Sequence, residues 1–115
     1  MTVLLVAAAG ALGVLARYGL SSAFHGDALP WATVAINLAG SFALGVLVVS
    51  GGSEQVRNAL GVGFLGGFTT YSTFAVQAWL FADAGEPGRG LLLVVVSVAG
   101  GVAAAAAGVA LGRAL

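Results

Sequence analysis

The chain has 115 residues, 60% of them hydrophobic and 7% charged, with four basic and four acidic side chains, a single histidine at His25 and no cysteine. An average soluble domain carries roughly 25% charged residues, so this composition belongs in a bilayer, as does a mean hydropathy of +1.08. The cysteine and histidine counts exclude disulfides, thiolate chemistry and a histidine-cluster metal site within one subunit, and a net charge of zero without a basic run argues against nucleic acid.

In chain order the apolar stretches predict a single four-helix transmembrane domain with spans at about 2–20, 31–49, 57–80 and 90–112. The first span carries one charge, Arg17, and no basic segment precedes its apolar run. It reads as a retained helix rather than a secretory signal. A guanidinium keeps its proton and is expensive in hydrocarbon unless it snorkels or is paired. Arg17 therefore either reaches the interface, anchors a neighbouring broken helix, or makes a vestibule positive for an anion. Residues 21–30 form a short loop closing on Pro30 and Trp31, a proline suited to a helix start and a tryptophan suited to the membrane interface.

The second span holds Asn37 and Ser41 one turn apart. An amide at that depth needs partners, either a neighbouring helix or an anion that accepts from its NH₂ group. Residues 51–54 make a tight turn with Ser53 as a candidate N-cap. A loop at residues 83–89 precedes the last span, where Ser97 is the only polar side chain; it either bonds back to its own helix or extends a polar track. Four spans leave no room for a soluble catalytic domain, so no enzyme activity is expected. Small residues spaced four apart, Ser41 with Gly45, Gly63 with Gly67, and Gly100 with Ala104 and Gly108, supply surfaces for close helix packing.

The third span is the unusual one. From Asn58 to Ala82 there is no charge, yet Gly61 to Gln77 contains four glycines, five hydroxyls and four aromatics. Gly66 and Gly67 beside β-branched Thr69 and Thr70 lower helix propensity at mid-span. Thr69, Thr70, Tyr71, Ser72 and Thr73 are consecutive and cannot share one packing face. Residues 66–71 are thus expected to break the helix and to form a candidate ion site, because irregular backbone at membrane depth survives only against protein or a polar cavity. The alternative is a regular helix whose glycines pack and whose hydroxyls bond back. Tyr71 and Phe74, three apart, share a face; they are either core packing or rings whose positive edges line a polar path. The arginines divide evenly between the two sides, Arg57 and Arg113 against Arg17 and Arg89. That leaves no positive-inside bias, through scarcity of charge or through insertion in both orientations.

Three stretches, residues 10–18 (GALGVLARY), 33–42 (TVAINLAGSF) and 66–74 (GGFTTYSTF), closely resemble the CrcB/Fluc family of small prokaryotic fluoride channels, and the likeness runs over all four spans. The resemblance implies a passive, fluoride-selective channel that releases cytoplasmic fluoride and relieves its toxicity. It implies an all-α fold assembled as an antiparallel dual-topology dimer in a prokaryotic inner or plasma membrane, with two anion pathways and a central structural Na⁺. A homodimer is expected, although some members pair distinct subunits. By the same resemblance Asn37 is a pore-lining donor and Phe74 a ring whose edge faces fluoride, with Thr70, Ser72, Thr73 and Ser97 as candidates for the polar track. Tyr71 stands where phenylalanine is usual, and meets the anion by ring edge or by hydroxyl. Gly66 and Thr69 correspond to backbone-carbonyl ligands of Na⁺, and Arg17 to a vestibule or structural arginine. Two other classes remain: a small multidrug-type antiparallel transporter, which should carry an acid in its first helix where residues 1–16 have none, and a purely structural membrane subunit.

Overall fold

The computed structural model describes residues 1–24 and 30–115. Among these residues four helical segments are long and apolar enough to cross a membrane, in keeping with the composition. Helix α1 covers Thr2–Ala23 and α2 covers Trp31–Val49. The third span is in two pieces, α3 (residues 54–68) and α4 (Ser72–Asp83), and α5 covers Pro87–Ala114. Half of the expected 21–30 loop, residues 25–29 with His25, lies outside the described residues, whereas Ser21, Ser22 and Ala23 continue α1. The Ser22 hydroxyl donates to the Tyr18 carbonyl at 2.8 Å, an i−4 bond that a helix accommodates.

Boundaries shift elsewhere for local reasons. Helix α3 starts at Glu54, three residues before the expected span, because Ser53 Oγ caps it by accepting from Val56 N–H at 3.2 Å. Arg89, expected in a loop, sits in the first turn of α5, since Pro87 presets the helical φ at the start of that helix. The connection shrinks to a turn through Gly85, whose φ of 81° suits glycine. Arg89 pairs there with Glu86 at 3.5 Å; both ends are about half exposed, so the pair adds little stability.

Packing follows the small residues. Helix α1 lies along α3, and α2 lies along α5, with α4 also against α5. A methyl group on Gly67 would stand 2.5 Å from the Gly10 carbonyl oxygen, and one on Gly63 would stand 2.8 Å from that of Val6. Likewise Gly108 abuts the Phe42 carbonyl and Gly45 that of Ala105. These backbones touch because no Cβ intervenes. True interior is scarce: Val34 and Leu93 are buried, with Leu38, Phe74, Ala78, Phe81 and Val96 against them. Large apolar side chains such as Val3, Leu12 and Val102 point outward, where acyl chains replace a protein core.

The helix break is real but differs in cause and extent from the expected 66–71. Gly66, Gly67 and Phe68 remain helical, and the chain turns extended at Thr69, with ψ of 161°. Residues 69–71 alone interrupt the span. Gly67 serves close approach to α1, and the β-branched pair Thr69 and Thr70 makes the interruption. Upstream, Asn58–Leu65 is wound wide, in π-helical turns, a feature common near functional sites that composition did not announce. At 12 residues α4 is about 18 Å long, too short to span a core of about 30 Å. The break therefore lies at membrane depth, with the carbonyl end of α3 facing the amide end of α4.

Candidate functional site

The break frees backbone groups that lipid would not satisfy, and side chains from three elements take them up. Arg17 Nε donates to the Gly67 carbonyl at 3.1 Å. Gly10, Gly13 and Arg17 are spaced i, i+3, i+7 and share one face of α1; the glycines seat α3 and the arginine closes its end. A cation at a helix carboxyl end is favourable, so Arg17 anchors the broken helix, and the snorkelling alternative gives way. From α2, Asn37 makes two bonds to one residue: its Nδ2 donates to the Thr70 carbonyl and its Oδ1 accepts from the Thr70 N–H, both at 2.8 Å. Gly40, one turn on, leaves room for the Thr69 methyl.

Hydroxyls complete the arrangement. Thr69 Oγ1 donates to the Leu65 carbonyl at 3.0 Å, which also accepts the Thr69 N–H at 3.0 Å. Thr70 Oγ1 accepts the Thr73 N–H at 3.3 Å and lies 3.1 Å from Thr73 Oγ1, in the manner of an N-cap on α4. In an unbroken helix Thr70 N–H would bond to Gly66 C=O, and Thr73 N–H to Thr69 C=O. Both donors are diverted to side chains, so the Gly66 and Thr69 carbonyls lack their helical partners. Carbonyl oxygens are hard ligands suited to hard cations. No group of three or more acidic, histidine or cysteine side chains exists among the described residues, so a cation at this depth would depend on such backbone oxygens.

An open groove of about 350 Å³ runs beside the break. On α2 its wall is Asn37, Gly40, Ser41 and Leu44, one helical face at i, i+3, i+4, i+7. Leu65, Gly66, Thr69, Thr70, Tyr71 and Phe74 line the opposite wall, and α5 contributes Ser97 and Val98. Residues far apart in sequence thus meet on one mixed polar and aromatic surface. The Tyr71 and Phe74 rings are edge to face, 5.9 Å apart at 68°. Phe74 is held against the Val34 and Leu93 cluster, whereas Tyr71 is 79% exposed and has little of its own chain around it. Ser72 lies exposed at the start of α4, and Thr73 sits behind Thr70; neither belongs to the groove lining.

Two buried oxygens, Ser97 Oγ and Gln77 Oε1, have no hydrogen-bond partner among the described residues. For Ser97 this removes the back-bonded helix-serine alternative. Gln77 was not singled out from sequence, although it stands one turn beyond Thr73 and is the only amide side chain in α4. A buried acceptor without a donor costs about 1–3 kcal/mol, so its retention in an apolar helix is a signal of the same kind as Asn37.

Residues 4–109 match the model of the family described as CrcB-like protein, Camphor Resistance (CrcB). The chain belongs to the CrcB family. Among its curated relatives is the fluoride-specific ion channel FluC of Sphingopyxis alaskensis, 41% identical over 92% of this chain and 90% of that protein. FluC of Geobacter sulfurreducens is 40% identical over 85% of this chain and 86% of its own length, and that of Rhodospirillum centenum is 42% identical over 96% and 94%. Like other CrcB proteins, this one is a multi-pass membrane protein, and all the groove-lining residues fall inside the matched region.

Proposed function

We propose that this CrcB-family protein is a passive fluoride channel. The observation that carries the reading is the groove at membrane depth where an amide, two aromatic rings and several hydroxyls converge on a helix break without any acidic side chain. Fluoride holds its hydration shell strongly. A path for it must replace water with hydrogen-bond donors and positive ring edges, and no single site can bind so tightly that release fails. Asn37 suits the first need: its Nδ2 has a second hydrogen beyond the one given to Thr70. The unpartnered Ser97 hydroxyl suits it too. Tyr71 and Phe74 offer edges in place of cations that would trap the ion, and Arg17 holds the break rather than the anion. Net flow follows the electrochemical gradient, and the absence of a membrane-embedded acid supports a channel over a proton-coupled carrier. Liposomes holding the purified protein should release fluoride rapidly and chloride far more slowly; equal rates for the two ions, or no flux from folded protein, would refute the reading.

The functional unit in this reading is an antiparallel homodimer. The support is the even arginine split together with the exposure of Tyr71 and the open groove, which a second copy would cover. Gly51, in the exposed turn before the third span, and Gly88, in the exposed first turn of α5 beyond it, have no neighbouring atom within 4 Å of an added Cβ. Single Gly51→Cys and Gly88→Cys variants should each label from both faces of the membrane. Labelling of each from one face only would establish a single orientation and exclude the opposed pair.

A structural Na⁺ at the centre of that dimer would be held by the Gly66 and Thr69 carbonyls, two from each subunit. What supports this is the diversion of both helical donors, which leaves four carbonyls without partners in a dimer. The ion would supply positive potential and tie the two breaks together, and it takes no part in covalent chemistry.

A further inference from the structure

We infer that Asn37 and Thr70 build the cation site without touching the cation, by drawing away the two amide hydrogens that would otherwise close it. This rests on the reading that Gly66 and Thr69 bind Na⁺, and it assigns to two pathway residues a second task. The observations are three bonds at the break. Asn37 Oδ1 accepts the Thr70 N–H at 2.8 Å, and that hydrogen is the helical partner of the Gly66 carbonyl. Thr70 Oγ1 accepts the Thr73 N–H at 3.3 Å, and that hydrogen is the helical partner of the Thr69 carbonyl. Asn37 Nδ2 meanwhile donates to the Thr70 carbonyl at 2.8 Å, so the amide fixes both backbone polar groups of Thr70 and prevents it from settling back into the ladder.

The logic is one of competition. At membrane depth a free carbonyl and a free N–H next to each other pair, since nothing else satisfies them. A carbonyl remains available for an ion only if its nearest donor is engaged elsewhere. Each of the two carbonyls has its own decoy acceptor, and the decoys come from different elements, α2 and the break itself. Arg17, by contrast, occupies Gly67 C=O and so keeps that third carbonyl from competing as a ligand. The two carbonyls proposed as ligands are those whose helical donors go to a side-chain oxygen.

The test separates this role from fluoride conduction by reading ion binding directly. Radioactive sodium is titrated onto the purified full-length protein in detergent at fixed ionic strength. Four substitutions are compared: Asn37→Leu, of similar size without the amide; Thr70→Val, of equal shape without the hydroxyl; Thr70→Ser, which keeps the hydroxyl; and Ser97→Ala, which alters the groove but no donor at the break. Asn37→Leu and Thr70→Val should each weaken sodium binding by about tenfold or more, the equivalent of one hydrogen bond's competition in each subunit. Thr70→Ser and Ser97→Ala should bind as the parent does. The Thr70 pair alone decides the matter if Asn37→Leu does not fold, because valine and serine differ from threonine in opposite features. Parent protein that binds no sodium would overturn the cation site itself and this inference with it. Parent-like binding in both Asn37→Leu and Thr70→Val would overturn the inference while leaving the cation site standing.

Discussion

Fluoride efflux through a Phe74→Ile variant is expected to fall at least thirtyfold below the parent rate while the protein still assembles. The Phe74 ring lines the groove and is fixed from behind by the Val34 and Leu93 cluster, so its orientation is preset for whatever passes. Isoleucine keeps the hydrophobicity but has no quadrupole. A cation over a desolvated ring gains about 2 kcal/mol from the same quadrupole, and an edge contact with an anion of comparable strength corresponds to roughly thirtyfold in rate. Packing alone would give another result: a destabilised protein whose surviving molecules conduct normally. Tyr71 sharpens the comparison, since its ring meets that of Phe74 edge to face but is exposed. Tyr71→Phe removes only the hydroxyl and should leave selectivity intact with a small change in rate. A hydroxyl donating to fluoride would instead cost about 1–3 kcal/mol when deleted, about five- to 150-fold. Liposome efflux from the two variants measures both, and parent-like flux in Phe74→Ile together with Tyr71→Ile would eliminate the aromatic mechanism.

The second large effect lies in the helix contacts. An alanine at Gly13 would drive its methyl into the Phe64 carbonyl, and one at Gly108 would drive it into that of Phe42. Neither obstacle is a side chain that can rotate aside, so whole helices must separate. Overpacking of this kind costs typically about 1–3 kcal/mol, and more where backbone is struck. Gly19→Ala is the control, since no atom lies within 4 Å of its added Cβ; in a helix interior alanine is favoured by roughly 0.5–1 kcal/mol. Thermal unfolding in detergent should therefore rank Gly19→Ala at or above the parent and the other two well below it. Flux should separate those two in turn. Gly13→Ala displaces α3 and hence the break, whereas Gly108→Ala parts α2 from α5 at a distance in sequence from the break residues. An unaltered melting temperature in Gly13→Ala would show that α1 and α3 do not pack as described.

Class and span count were legible from composition and hydropathy because both are sums over many residues, and lipid asks only for length and apolarity. The break was legible too, from consecutive hydroxylated and β-branched residues that no regular helix could place well. Its cause was not. Gly66-Gly67 reads as a flexible point, yet both glycines are helical, Gly67 letting α1 touch α3 and Gly66 lining the groove; that distinction depends on what lies across from each. Arg17 shows the same limit. Residue by residue it was a costly charge with three possible outlets, and the choice among them required knowing that α1 brings it to the carboxyl end of α3, 50 positions away. The amide of Asn37 needed a partner by physics, but only the packing of α2 against the break names Thr70, and only the resulting loss of two helical bonds exposes the Gly66 and Thr69 carbonyls. Gln77 was passed over because nothing local distinguishes a buried unpaired amide from an exposed one. Sequence by itself determined the demands, namely apolar length, a propensity fault and polar atoms requiring partners. Tertiary structure decided who meets them, since a hydrogen bond is specific to a few ångströms and the chain brings groups to that range only once its helices have packed.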